Sequence, residues 1–473
     1  MDRLPIWGAV VLIIAACFST GFHHWDEHFQ VLEFACYKLG ITPQRDLAWE
    51  FAARIRPGFL PFLAYLAHHL FTVFGSTDPF ALAFFLRLLS AAISFTAMML
   101  MVQAFLPRIA DERLRYLFLL LTFFTWFAVY DAVRFSAENW SGNLFVIGFA
   151  LLMWERTSLR TLFITGALFG LAFTVRMQVA FLIIGLLAWL LFIRKEHFGR
   201  ITMLVFGMLI TICIGIVIDR WLYGEWTLTA WNAFDVNILQ GKASAFSTEP
   251  WYTYFTDTFV RAVPPISLVF IIAPLILVLL NRCNVLTWVL LPFVLGHSFI
   301  AHKELRFLFP IVGLLPITII QATELVRTKW MPGLLERRAW RISTKVFWTI
   351  DLVLLAVVMF KPADAEISLY KTIYDGYSRP IALYHFGSDP YHRVEHIHFY
   401  RRPGLEMAGT VSDSTRFTLS DTILVATMRP ADVETRWPHR TLIYASLPAW
   451  VKQFDINGWV ERTDQWYVYQ VEP

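Results

Sequence analysis

Charge is scarce in this sequence. Only 16% of its 473 residues are Asp, Glu, Lys or Arg, and 57% are hydrophobic, whereas a typical soluble domain carries about a quarter charged residues. That deficit excludes an ordinary soluble globule. Cysteine is sparse as well. Cys17, Cys36, Cys213 and Cys283 mostly lie in or beside apolar segments, and none has metal-ligand spacing, so neither a disulfide framework nor a zinc site is expected. No internal repeat or low-complexity tract is present. The first apolar run, Pro5 to Phe22, has no small-residue cleavage site behind it, so it reads as a retained helix and not a signal peptide. A net charge of +4 says little about partners; no nucleic acid is expected.

What is present is apolar length. Runs able to cross a hydrocarbon core of about 30 Å recur along the chain, and mean hydropathy is +0.55. The strongest basic loop, Arg327 to Lys345, is cytoplasmic by the positive-inside rule. Counting outward from it, the Arg-bearing loops Pro107–Arg115, Glu155–Arg160 and Arg194–Arg200 fall inside. The loops Asp131–Glu138, Thr174–Gln178, Trp221–Val260 and His302–Arg306 fall outside. Pro57 to Gly75 is apolar, but counting it as a crossing puts Asp26 and His302 on opposite faces. With its two prolines and the His68-His69 pair it reads better as an interfacial helix.

The expected architecture is therefore an α-helical polytopic membrane protein with about eleven transmembrane helices. Juxtamembrane helices are expected in a long first outer loop, 23–79, and a second large outer loop spans 221–260. Residues 1–361 form the transmembrane domain. Residues 362–473 are polar, with strand-like runs Ile381–His385, Thr422–Thr427, Thr441–Ala445 and Trp466–Val471 and a possible helix Pro448–Phe454, and read as a small extracytoplasmic α/β domain.

Four clusters carry chemistry. In HHWDEHFQVLE, Asp26, Gln30 and Glu33 fall at i, i+4 and i+7, one face of a helix, with Phe29, Leu32, Cys36 and Leu39 opposite. This predicts an amphipathic helix at the membrane surface that shows acids to water. A carboxylate there can take a proton from an acceptor hydroxyl; it can equally be a helix cap. The second cluster is His302, Lys303 and Arg306, cations suited to a phosphate at headgroup level or to anchoring at the interface. The third is Glu50, Arg54 and Arg56. The fourth is Arg134 and Glu138, with Arg176 at the end of a neighbouring crossing; ionisable groups at such depth suggest function or structural ion pairs. Asn139-Trp140-Ser141 fits a glycosylation sequon but sits too close to the bilayer to count. The aromatic-rich loop Trp221 to Phe255 suits an interfacial belt or stacking on a sugar carrier.

These residues resemble a known family. His24-Trp25-Asp26-Glu27-His28-Phe29-Gln30-Val31-Leu32-Glu33 resembles the H-x-D-E-x-x-Q-x-x-E signature of glycosyltransferase family 22, the mannosyltransferases that build glycosylphosphatidylinositol anchors and dolichol-linked oligosaccharides. Trp49-Glu50 with Arg54 and Arg56 looks like its W-E…R segment. Arg134 to Glu138 resembles its second outer loop, and Asp219 to Asn237 its D-x-x-x-Y-G loop. His302-Lys303-Glu304-Leu305-Arg306-Phe307 matches its H-K-E-x-R-F signature. His385 to Pro390 is loosely similar to its C-H-S-T-P segment, with Tyr384 in place of the cysteine; Pro57 replaces the usual Ser after Arg56.

The resemblance implies a GT-C fold, a polyprenyl-phosphate-mannose donor, a glycolipid acceptor, inversion at the anomeric carbon, and no metal or other cofactor. Carried over, Asp26 is the base, with Glu27 as understudy or acceptor ligand. His302, Lys303 and Arg306 bind the donor phosphate, and His24, Gln30, Glu33, Glu50, Arg54, Arg56, Arg134, Glu138 and Arg176 contact substrate. A GT-C transferase for another sugar, such as arabinose or aminoarabinose, and a lipid or solute transporter remain as alternatives. A transporter should show broken helices in matching halves and midplane charges, whereas here the charges gather at the outer surface. The compact chain, the excess of Arg over Lys and the lack of a convincing sequon favour a bacterial inner membrane, with the endoplasmic reticulum as alternative.

Overall fold

The computed structural model describes residues 3–154, 157–412, 415, 417, 422–460 and 462–472. Glu155 and Arg156, part of one loop expected inside, lie outside the described residues. The chain divides into two compact units. The first comprises Met1–Ser19, Trp49–Ala64 and Phe84–Lys361; the second comprises Thr20–Ala48, Tyr65–Ala83 and Pro362–Pro473.

The first unit is helical. Among the described residues four helices are long and apolar enough to cross a membrane: Pro79–Arg108, Phe198–Tyr223, Leu305–Lys329 and Arg338–Phe360. The number rises to six if each of two bent pairs is one span. One pair, Glu112–Phe124 with Trp126–Ala132, bends by 44°; the other, Ile266–Leu280 with Val285–Phe299, bends by 120°. Leu4–Phe18, Phe59–Val73, Leu159–Val175 and Met177–Ile193 are apolar but shorter. A 15-residue helix rises about 22 Å, less than the hydrocarbon core. Leu305–Lys329 begins as ten residues of tight 3₁₀ helix, Leu305–Leu314, before regular helix takes over.

Small residues set the closest helix approach. A Cβ on Gly166 would lie 1.9 Å from the Leu204 carbonyl oxygen, one on Gly170 2.2 Å from Thr211 Oγ1, and one on Gly207 2.2 Å from the Phe163 carbonyl oxygen. Leu159–Val175 and Phe198–Tyr223 therefore touch backbone to backbone through a Gly-x-x-x-Gly stripe, where dispersion and close packing replace the hydrophobic drive that lipid removes. The other face of Phe198–Tyr223 leaves Phe206, Leu209, Ile214 and Val217 more than half exposed, as a lipid-facing helix must.

The second unit holds a five-stranded mixed sheet: β1 (Ile381–His385), β2 (Leu405–Thr410), β3 (Ile423–Thr427), β4 (Arg440–Ala445) and β5 (Tyr467–Val471), in the order β2-β1-β3-β5-β4. β1 pairs in parallel with β2 and β3, and β5 runs antiparallel to β3 and β4. Every residue of β1 and β3 is buried, as central strands require. The core beneath the sheet includes Tyr384, Val425, Val433, Trp437 and Tyr469. Four strands fall where the sequence placed them. β2 was not anticipated, nor was the helix Ile367–Gly376, and the expected helix Pro448–Phe454 shortens to Ala449–Lys452.

Candidate active site

The acidic loop belongs to the second unit. His24 has extended backbone, and its Nδ1 accepts a hydrogen bond from the Asp26 amide at 3.2 Å, so His24 caps the helix that starts at Trp25. The alternative that Asp26 is the cap is thereby overturned. Asp26 instead occupies the first turn, where the helix N-terminus favours a carboxylate, and 20% of its side chain stays accessible. The His23 amide donates to Glu27 Oε2 at 3.3 Å.

The helix then widens through one π turn, His28–Leu32, before regular geometry resumes over Glu33–Lys38. The extra residue per turn spoils the i, i+4, i+7 alignment. Gln30 is 8% exposed and Glu33 fully buried. The expected amphipathic helix that shows Asp26, Gln30 and Glu33 to water is therefore corrected: of these three, only Asp26 keeps contact with solvent.

Glu33 is held from four sides. Its Oε1 lies 2.9 Å from His28 Nε2 and accepts the amides of His398 and Phe399 at 2.8 and 3.0 Å, while Oε2 accepts from Thr42 Oγ1 at 2.6 Å. Burial alone would raise its pKa, but these hydrogen bonds and the His28 charge outweigh it and hold the carboxyl below the ordinary glutamate range. The His28 ring stacks on Tyr400, with centroids 5.5 Å apart. Nearby, the Arg393 guanidinium sits 4.2 Å from the Trp25 ring centroid and pairs with Asp364 and Glu366. The loop 389–400 of the C-terminal domain is thus bolted to the helix that carries Asp26.

In the first unit the H-K-E-x-R-F segment, Glu138 and Arg176 form one ion-pair network. Glu138 Oε1 lies 2.9 Å from Arg176 Nη1 and 3.1 Å from Arg306 Nη1, and Arg306 Nε lies 2.5 Å from Glu304 Oε2. His302 Nε2 is 2.8 Å from Glu304 Oε1, with Nδ1 2.6 Å from Ser247 Oγ. Both guanidiniums lie against the Phe307 ring. Lys303 is buried, and its Nζ donates to the carbonyls of Glu249 and Ile300 at 2.9 and 2.6 Å. Burial pulls its pKa down against a raising pull from Glu249. Arg176, Arg306 and Lys303 face the three carboxylates of Glu138, Glu304 and Glu249, so the cations of the cluster are balanced by carboxylates. An entering anion would compete with Glu304 for Arg306.

Two further groups stand apart. Glu50 pairs with Arg56 at 3.5 Å and Arg54 with Glu225. The backbone between them is gripped from the Asp219–Asn232 segment. Asp219 accepts the Gly58 amide and the Thr229 hydroxyl at 2.7 Å each, Tyr223 donates to the Arg56 carbonyl at 2.7 Å, and Asn232 to the Arg54 carbonyl at 3.2 Å. Arg54 itself adopts φ 53°, a strained conformation for a residue with a Cβ. Arg134, 1% exposed, donates to the Ser19 carbonyl and hydroxyl at the end of the first helix and lies over Tyr130. Sequence reasoning named Asp219 and Glu304 only as motif letters. The role of Asp219 as a buried staple depends on packing against Gly58, 161 residues away, whereas Glu304 partners His302 and Arg306 two residues to either side.

Residues 5–398 match the model of the Alg9-like mannosyltransferase family. Among curated proteins, a GPI alpha-1,2-mannosyltransferase 3 from Bos taurus is 26% identical over 312 residues, covering 64% of this chain and 56% of the bovine protein. The Homo sapiens counterpart is 25% identical, covering 64% and 54%. A probable Dol-P-Man:Man(7)GlcNAc(2)-PP-Dol alpha-1,6-mannosyltransferase from Schizosaccharomyces pombe is 29% identical, covering 28% and 24%. The chain thus spans about half the length of the first two relatives. Among solved structures, ArnT from Cupriavidus metallidurans bound to undecaprenyl phosphate has a TM-score of 0.58 at 11% identity, covering 99% of this chain and 97% of its own. The chain therefore shares the fold of ArnT, a GT-C membrane glycosyltransferase.

Proposed function

Because the chain belongs to the Alg9-like mannosyltransferase family, we propose that it moves mannose from a polyprenyl-phosphate-mannose donor to a glycolipid acceptor at the extracytoplasmic face of a membrane. The observation that carries the proposal is the Asp26 carboxylate. It is partly accessible, sits in the first turn of a His24-capped helix, and is backed by a helix anchored through buried Glu33. A base must be held where the reacting hydroxyl arrives, and a rigid helix start does this better than a mobile loop.

In the proposed reaction the acceptor oxygen attacks the anomeric carbon on the face opposite the lipid phosphate. The new C–O bond forms as the bond to phosphate breaks, inverting the centre. The phosphate leaves with the bonding electron pair, and the acceptor proton passes to Asp26, with Glu27 beside it. Arg306, with His302 and Lys303, meets the charge that builds on the phosphate. A lipid phosphate monoester has less charge to neutralise than a nucleotide diphosphate, so fixed cations suffice and no metal is required. That a solved protein of the same fold is bound to undecaprenyl phosphate supports a lipid-phosphate donor.

About eleven crossings remain part of this proposal, with Phe59–Val73 interfacial. The arginine-rich, compact chain fits a bacterial inner membrane.

The test uses purified full-length protein in proteoliposomes. Arg306→Ala should raise the donor concentration needed for half-maximal rate at least tenfold, and EDTA should leave the rate unchanged. A donor response untouched by Arg306→Ala would make that residue a structural ion pair only; a rate abolished by EDTA and restored by a divalent cation would refute the metal-free step.

A further inference from the structure

A cavity of about 460 Å³ lies within the second unit, lined both by first-outer-loop residues and by the C-terminal domain. Its size falls in the range of about 300–1,000 Å³ of pockets that hold small ligands. Among the described residues no carboxylate lines it. The lining places Arg401, Arg402, His68 and His398 beside Tyr374 and Thr77. Arg402 is 9% exposed, and among the described residues its guanidinium makes one hydrogen bond, from Nη1 to the Arg379 carbonyl at 2.6 Å. Arg401 holds the Leu405 carbonyl with Nε and Nη2. Among the described residues neither guanidinium has a carboxylate within ion-pairing distance. The His398 ring is oriented by Asp46, 2.9 Å from its Nε2, and His68 Nδ1 is buried without a partner among the described residues.

A guanidinium taken out of water without a counter-anion is costly, and natural structures rarely leave a buried ring nitrogen unmet. The unpaired guanidinium asks for an anion with several acceptor oxygens. Phosphate suits it, because the planar guanidinium fork matches phosphate oxygens, and the His68 side chain stands in the cavity wall beside it. We propose that this cavity binds a phosphate ester, the charged headgroup of the glycolipid acceptor, and so acts as an acceptor-recognition subsite. The assignment to an acceptor rests on the transferase reading above. The donor phosphate already has its proposed cations in the first unit, which leaves the acceptor's phosphate for this cavity.

The test is direct binding, read without turnover. Full-length protein in phosphatidylcholine nanodiscs is titrated with sn-glycerol 3-phosphate and followed by ³¹P line broadening. Inorganic phosphate serves as a second probe, and the titration is repeated in nanodiscs containing phosphatidylglycerol. Saturable broadening is expected, weakened at least tenfold in both Arg402→Gln and His68→Gln and unchanged in Asp26→Asn. Phosphatidylglycerol in the disc should compete, since its headgroup carries the same ester. If Arg402→Gln fails to fold, His68→Gln still decides, because no protein group depends on that Nδ1. Equal binding by wild type and His68→Gln, or no saturable binding, would overturn the site. Competition by inorganic phosphate but none by the lipid would overturn the acceptor assignment. A protein that binds glycerol phosphate through Arg402 yet transfers no sugar would refute the transferase reading while keeping the phosphate site.

Discussion

A carboxylate taken wholly out of water persists only if its charge is met, and Glu33 is met by His28, Thr42 and two backbone amides. Removing it would strand those donors in the interior. Glu33→Ala should therefore destabilise the second unit by about 3–5 kcal/mol, seen as a lowered unfolding midpoint in detergent. The sign of its pH dependence follows from the depressed pKa. An acid that is stronger folded than unfolded stabilises fully above its unfolded pKa and loses that contribution as pH falls through the folded one. Wild type should thus weaken as pH drops below the ordinary glutamate range, and Glu33→Gln should lose part of that slope. A slope identical in both would show that Glu33 is not the group responsible. None of this was legible in HHWDEHFQVLE. A carboxylate at i+7 from Asp26 looks the same whether it faces water or a loop 365 residues away, and the π turn that rotates it inward leaves no mark in residue type.

At the scale of elements, sequence reasoning worked where one property suffices. Apolar length located the helical segments, and strand-like runs separated by Pro, Gly and Asp located β1, β3, β4 and β5. It failed at β2, LEMAGT, which mixes Glu406 with Gly409 at φ 90° and pairs with β1 across a register shift. Glycine and, less strongly, glutamate are depleted in strands, so its composition carries no strand signal. Gly166 and Gly170 were present in the sequence, but a close crossing is known only once Leu204 is seen 1.9 Å from the missing Cβ. Gly166→Leu should therefore force Leu159–Val175 off Phe198–Tyr223 and leave little folded protein, as fluorescence-detected size exclusion would report. Gly224→Ala, where a Cβ meets nothing but φ is 79°, should cost only the roughly 1 kcal/mol of a strained left-handed cap. Equal yields from Gly166→Leu and wild type would contradict the close-packed crossing.

The molecule as a whole is a multi-pass membrane protein with a small mixed sheet, built on the fold of ArnT and belonging to the Alg9-like mannosyltransferases. Its class was readable from scarce charge and long apolar runs, and its family from the two signatures around Asp26 and Lys303. The division of ionic groups was not readable. Two carboxylates hold the cations Arg176 and Arg306, carbonyls hold Lys303, and Arg134 is tied to the end of the first helix. The most direct test is transfer itself. Purified wild type and Asp26→Asn are reconstituted in liposomes with polyprenyl-phosphate mannose and glycolipid extracted from a strain lacking the gene, and the lipids are weighed by mass spectrometry. Wild type should add one hexose to an accumulated acceptor, and Asp26→Asn should add it about 10²-fold more slowly or worse while still binding donor. Hexose addition at the wild-type rate by Asp26→Asn would contradict the assignment of the base, and no addition by wild type would contradict the proposed reaction.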